Sequence, residues 1–288
     1  QNFASDAVTF AIADSTGWYN SRMIIRYLMP FALLFLTACA TEPPAPDPYR
    51  DGGLLWVKHS AEYRALTEQV YAKATSDLPG FIADTSWSVI PGQDDAAELP
   101  VAVILDVDET VVSNIDFQLT FERPFENWKL DEWTRNTVAT PIHGVKEFVE
   151  AARAAGVTVF FVTNRPCEPI DGIDDPCPQR QSTIDDISEV GIETDADHVF
   201  LSDERGWNRE KSTRRNYVAE THRVVMLIGD DLGDFLPCVR QKPYSPCTDS
   251  ATGADRMKMV EDSAHLWGNG WYILPNPMHG SWTSAIPR

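Results

Sequence analysis

The sequence predicts an α/β fold, a parallel β-sheet flanked by helices, and three observations carry that expectation. Short, almost wholly apolar runs (VAVIL at 101–105, VTVFFV at 157–162, VFL at 199–201, VVMLI at 224–228) alternate with segments of helical period. Strands buried on both faces read this way, and strand–helix alternation places them parallel. Two intervening helical segments stop at glycines, Gly156 and Gly191, a common C-terminal signal. Three of the runs are followed at once by polar residues: Asp106 and Asp108, Thr163-Asn164-Arg165, and Gly229-Asp230-Asp231. Open parallel sheets bind their ligands at those strand ends.

Taken in order, residues 54–74 place Leu54, Val57, Ala61, Ala65 and Leu66 at helical spacing, which predicts one amphipathic helix. A loop containing Pro79, Pro91 and Pro100 leads to the first strand, 101–105. Residues 111–143 hold Phe117, Phe121, Phe125, Trp128 and Trp133 and are expected to form a small cap. A helix at 144–155 precedes the strand 157–162, and a helix at 180–191 precedes the strand 199–201. A polar helix around 209–221 precedes the strand 224–228, and YIL at 272–274 offers another strand.

The 288 residues suffice for one sizeable domain. With 24 Lys+Arg against 43 Asp+Glu the formal net charge is −19, which excludes a protein that coats a nucleic-acid polymer. A small phosphorylated substrate stays admissible where a local cation offsets the field. None of the six histidines forms an HxxxH pair or stands beside a serine nucleophile elbow, so neither a histidine phosphatase nor a serine hydrolase is supported.

From Met23 an arginine precedes an apolar run too short to span a membrane, as in a secretory signal peptide. The expected organisation is an upstream extension at 1–22, a signal peptide at 23–38, a Pro-rich tether at 39–53 and one domain at 54–288. Leu36-Thr37-Ala38-Cys39 resembles the lipobox of bacterial lipoproteins, which implies lipidation at Cys39 and a membrane anchor. The expected location is the cell envelope, as an outer-membrane lipoprotein facing the periplasm or the exterior. Cys167, Cys177, Cys238 and Cys247 remain, an even number that points to disulfides in an exported protein. Three pairings are possible, two short local loops being the simplest, and the spacing does not suit a zinc knuckle.

Asp106 and Asp108 are the centre of the functional argument. Two carboxylates about 4 Å apart repel by on the order of 4 kcal/mol at an effective dielectric near 20, so they imply a shared cation. DVDET (Asp106, Asp108, Glu109, Thr110) with GDDLGDF (Gly229, Asp230, Leu232, Asp234, Phe235) resembles the haloacid dehalogenase superfamily. Within it the match is to the class C bacterial acid phosphatases, lipoproteins named for four aspartates. The similarity extends through LLWVKHSAEY, FFVTNR and WYILPNPMHGSW.

This resemblance implies a Rossmann-like core with a cap and Mg²⁺-dependent hydrolysis of phosphomonoesters, nucleoside 5′-monophosphates among them. It implies Asp106 as nucleophile, Asp108 as general acid and then base, and Mg²⁺ held by Asp106, the Asp108 main chain and Asp230 with Asp234 in support. It also implies Thr163, Asn164 and Lys211, in a KSxR spacing, as phosphate-holding groups. Trp128 and Trp133 are the candidates for stacking on a nucleobase. Asp231 stands where Asn is common in that family, and His279 where Tyr is usual. Competing readings are a sugar phosphatase of the same superfamily and a non-catalytic envelope lipoprotein that binds a ligand such as haem.

Overall fold

The computed structural model describes residues 48–121 and 124–286. The expected extension, signal peptide and Cys39 lie outside them. In chain order the strands are β1 (Val101–Leu105), β2 (Val112–Ser113), β3 (Thr140–Pro141), β4 (Thr158–Pro166), β5 (Val199–Ser202), β6 (Arg223–Gly229) and β7 (Trp271–Ile273). The helices are α1 (Pro48–His59), α2 (Ala61–Ala83), α3 (Ile115–Thr120), α4 (Asn127–Asn136), α5 (Val145–Ala154), α6 (Pro178–Glu189), α7 (Ser212–Ala219) and α8 (Gly253–Asp262). Among the described residues no helix is long and apolar enough to cross a membrane.

Five strands form one sheet in the order β5-β4-β1-β6-β7, with every neighbouring pair parallel. The α/β expectation therefore holds. β1 is central, with Leu105 opposite Phe161 on one side and Ile228 on the other. From β1 the chain builds outward through β4 and β5, then crosses to β6 and β7. The reversal opens a crevice at the carboxyl end of β1. Side chains alternate across the sheet. Val103, Leu105, Val159 and Phe161 pack with Tyr71, Phe148 and Ile187 of α2, α5 and α6. Ala102, Ile104, Phe160 and Val162 pack on the opposite face with Val218 of α7 and Trp271.

Three expectations are corrected. The single helix over 54–74 divides, because the Ser60 hydroxyl accepts from the Tyr63 N–H and caps α2. That cap resets the helical phase: Tyr63, Thr67, Tyr71, Ala74 and Leu78 are buried, while Leu66 is exposed. Pro79 lies in the last turns of α2 rather than in a loop. The tether expected to reach residue 53 gives way to α1 at Pro48. Leu54 and Val57 are core residues, and a Cβ on Gly53 would come within 2.4 Å of the Pro277 carbonyl oxygen.

Between β1 and β4 the chain makes an excursion containing α3 and α4. β2 and β3 close its base as a two-residue antiparallel ladder. Phe117 is its centre, stacked on Phe121 at 4.8 Å and tilted against Trp133 at 5.7 Å. This cap overhangs the carboxyl end of the sheet.

Candidate active site

A cleft of about 470 Å³ lies between the cap and the strand ends. Asp106, Asp108, Lys211, Asp230 and Asp234 all border it, although 128 residues separate the first acid from the last. The loop after β1 is a tight turn in which the N–H groups of Thr110, Val111 and Val112 donate to the Val107 carbonyl. Glu109 takes φ 61° there, a strained conformation for a residue with a side chain. Its carboxylate, 1% exposed, accepts the Asn114 N–H at 2.7 Å and so holds the turn to the cap.

One Asp106 carboxylate oxygen receives Lys211 Nζ and the other accepts from Thr110 Oγ1 at 3.2 Å. Lys211 also donates to Asp234 at 2.6 Å. Lys211 is 5% exposed. Burial lowers its pKa, and Asp106 and Asp234 override that and hold it above its usual range. A solvated helix face, the ordinary fate of a lysine in a basic run, is thereby ruled out. Arg214, three residues on, donates to the Thr163 carbonyl and to Asn164 Oδ1, which locks the start of α7 to the end of β4.

The donor set fits a hard divalent cation. Asp106, Asp230 and Asp234 each offer an oxygen, all within 4.8 Å of one another. Burial raises Asp230 well above the carboxylate range, and Asp106 and Asp234 raise it further. Burial likewise pushes Asp106 up to about 7, with Lys211 opposing and Asp234 and Asp108 adding. Such a cluster carries more negative charge than Lys211 alone balances. Gly229 is required here, because a Cβ on it would lie 2.3 Å from Asp234 Oδ2.

Asp108 behaves differently. Arg165 grips it with Nε at 3.1 Å and Nη2 at 2.8 Å, and Asn114 Nδ2 donates at 2.9 Å. Burial would raise this carboxyl, but the guanidinium prevails and holds it below its ordinary value. β4 runs on to Pro166, so Thr163 and Arg165 share a face toward Asp108. Thr163 Oγ1 donates to Asp108 at 3.3 Å and is not among the groups bordering the cleft, whereas Asn164 is. Sequence reasoning noted Arg165 only as a strand-end cation and gave it no role.

Arg165 also donates to Asp186 on α6, at 2.5 Å. One guanidinium thus serves two carboxylates. Asp108 takes the bidentate share, and burial pushes Asp186 up from 3.8 to about 6. A carboxyl raised in the folded state contributes stability that is present below about pH 4 and lost as pH rises through about 6. The displacement is worth about 3 kcal/mol. Urea unfolding of the wild type and Asp186→Asn should show their stability difference shrinking by that order between pH 4 and 7. A flat difference would mean that Asp186 stays ionised throughout.

Trp128 and Trp133 do not border the cleft, which corrects the stacking expectation. Asn127, Leu130, Asp131 and Thr134 form the α4 face that does, the i, i+3, i+4, i+7 stripe. Trp128 is off that stripe and 57% exposed, and Trp133 packs inward on Phe117. Phe121 and Phe125 border the cleft in their place.

The C-terminal segment closes the far wall. Asn276 Nδ2 donates to Asp230 Oδ2 at 2.6 Å, and its Oδ1 accepts the Met278 N–H at 2.9 Å, which fixes how the amide is turned. Asp231 accepts from Gly233 N, Ser281 N and Ser281 Oγ. Its carboxylate is thereby held in a clasp, and its charge still adds to the rise of the neighbouring Asp230 carboxyl. His279 Nε2 lies 2.9 Å from Glu109 Oε2. Cys167–Cys177 and Cys238–Cys247 are disulfide-bonded, so no zinc is held by the four cysteines.

Comparison with known proteins agrees with this geometry. Residues 53–282 match the family described as HAD superfamily, subfamily IIIB (Acid phosphatase). The class C acid phosphatase from Bacillus anthracis is similar in structure, with a TM-score of 0.63 and 27% identity over 82% of this chain and 87% of that one. The same enzyme with tungstate bound gives a TM-score of 0.64 at 27% identity and the same coverage.

Proposed function

The chain belongs to the subfamily IIIB acid phosphatases of the HAD superfamily, and on that premise we propose that it is a Mg²⁺-dependent hydrolase of nucleoside 5′-monophosphates at the cell envelope. It is a phosphomonoesterase. The observation that supports the mechanism best is Asp106: a buried carboxylate at the end of the central strand, open to the cleft, with a lysine on one oxygen and two further aspartates beside it.

Asp106 attacks phosphorus, the P–O bond to the leaving alcohol breaks, and an aspartyl-phosphate forms. Asp108 gives its proton to the leaving oxygen and then takes one from the water that hydrolyses the acyl phosphate. Because Arg165 holds Asp108 ionised in the free protein, acid catalysis requires substrate to draw the guanidinium away or the proton to arrive with the phosphate. Lys211 balances charge on the transferring phosphoryl oxygens, and Thr163 and Asn164 shape the strand end that receives them. Asp106, Asp230 and Asp234, with the Asp108 main chain, would hold Mg²⁺. A bound Mg²⁺ neutralises the clustered carboxylates and polarises the phosphoryl group. Phosphate release should need the cation, so chelation should abolish it and added Mg²⁺ restore it. Turnover that survives chelation would sink the metal assignment.

Nucleotide preference rests on Phe121 and Phe125 at the cleft. Stacking a base on an aromatic ring contributes about 1–3 kcal/mol. Phe121→Ala or Phe125→Ala should raise KM for AMP by roughly tenfold relative to glycerol phosphate, while Trp128→Ala leaves both unchanged. Equal effects on the two substrates would favour a sugar or general phosphatase. The envelope location is supported by the Cys39 pattern in the sequence and by two disulfides, which persist in oxidising compartments. Labelling of full-length protein with a fatty-acid probe in a bacterial host, lost in Cys39→Ala, is the test of the anchor.

A further inference from the structure

The cations of the cleft fall into two groups. Lys211 and Arg165 are saturated by Asp106, Asp234, Asp108 and Asp186. Arg209 and Arg240 border the same cleft, and among the described residues neither is paired with a carboxylate. In a chain with 43 acidic side chains against 24 basic ones, two half-buried arginines would ordinarily find acids, since a partly desolvated charge is stabilised by a partner.

Their backbones are held in place. Asn208, before Arg209, donates from Nδ2 to the Ser245 carbonyl at 2.8 Å, and its own carbonyl accepts from Arg214 at 3.2 Å. Glu210, after it, is 4% exposed and accepts the Cys238 N–H at 3.1 Å. The Cys238–Cys247 loop is thereby fastened to the loop that carries Arg209. Arg240 follows Cys238 by two residues, its carbonyl accepts the Ala251 N–H at 3.0 Å, and its guanidinium lies 5.9 Å from the Tyr244 ring centroid. The one acid whose charge it adjoins, Asp231, already accepts hydrogen bonds from Gly233 and Ser281. Two arginines that border one cleft on anchored backbone, neither in an ion pair among the described residues, offer guanidinium donors to an oxyanion.

We propose that Arg209 and Arg240 form a second anion subsite, so that the enzyme prefers phosphomonoesters whose leaving group carries another oxyanion, a carboxylate or a second phosphate. The inference rests on the phosphomonoesterase reading above, with Asp106 and Lys211 at the scissile phosphoryl. Arg209 and Arg240 border the same cleft as Asp106 and Lys211, and Lys211 is already engaged by Asp106 and Asp234, so the two arginines are assigned to the second anion rather than to the transferring phosphate.

The test uses the whole domain with Mg²⁺ and pairs of substrates that differ in the second anion. Phenyl phosphate is set against 4-carboxyphenyl phosphate, and AMP against adenosine 3′,5′-bisphosphate with loss of the 5′-phosphate followed by chromatography. The wild type should favour the doubly anionic member by about tenfold in kcat/KM, the scale of one charge-assisted contact. Arg209→Gln with Arg240→Gln should collapse that ratio toward one, chiefly through KM, and Arg240→Lys should restore part of it. Raising salt should narrow the wild-type ratio more than the variant's. A wild type without the preference, or variants that lose both members of a pair equally, would overturn the subsite and leave general steering. Which pair shows the larger ratio distinguishes carboxylate from phosphate. If no substrate releases phosphate at all, the reaction itself is wrong, a result distinct from failure of the subsite.

Discussion

Asp106→Asn should lower kcat for phosphate release by at least about a thousandfold, because it removes the attacking carboxylate while keeping the shape of the side chain. The fold should survive. Lys211 retains Asp234 at 2.6 Å, Thr110 keeps an oxygen acceptor, and the Asp106 N–H still donates to the Ile228 carbonyl. Replacing one of several crowded carboxylates by an amide also relieves repulsion from Asp108 and Asp234, both of which push the Asp106 pKa upward. The informative measurement is therefore turnover beside thermal unfolding. Lost turnover in a protein at least as stable as the wild type is expected. A variant that retains more than about a tenth of the rate would remove Asp106 from the role of nucleophile.

Lys211→Met should have the largest effect on stability. Lys211 is the cation at the centre of a buried triad whose side chains are 5–7% exposed. Removing it leaves Asp106 and Asp234 facing each other without a counter-charge, a change that costs about 3–5 kcal/mol when one partner of a buried pair is deleted. Urea unfolding with chelator should read that loss. Added divalent cation should recover part of it, because a ligand that binds only the folded state stabilises it in proportion to its occupancy and here also supplies the missing charge. Catalysis should fall by about a hundredfold or more through the loss of transition-state charge stabilisation. Unchanged stability in chelator would mean that the triad is held by something other than this lysine.

Much of the fold and part of the site were legible because they depend on periods and adjacencies within short stretches. Continuous apolar runs located all five sheet strands to within a few residues, and the acids immediately after β1 and β6 had to emerge at one edge of a parallel sheet. That logic reached Asp106, Asp108 and Asp230 directly. Lys211 and Asp234 needed the resemblance, since a lysine in REKSTRR and an acid five residues beyond a strand have many ordinary explanations. α8 went unread because none of its residues is buried, so it has no apolar stripe. Its readable signal was the Thr252–Asp255 capping box.

What escaped the sequence shares one property: it joins residues far apart in the chain through directions that side chains take only after packing. Trp128 and Phe125 are three residues apart, equally aromatic and both exposed, yet Phe125 borders the cleft and Trp128 does not. Arg165 meets both Asp108 and Asp186 because β1, β4 and α6 come together, and Asn276 reaches Asp230 across 46 residues. The Asp231 and His279 departures could not be read as harmless or harmful until Ser281 and Glu109 were found beside them. By itself the sequence determined a parallel α/β sheet with acids at its carboxyl edge, since strand period and the position of a residue after a strand are local properties. Only the tertiary structure decided which cations those acids share and which arginines are left facing the cleft, because pairing depends on distance in space and on exclusion of water, neither of which is encoded in spacing along the chain.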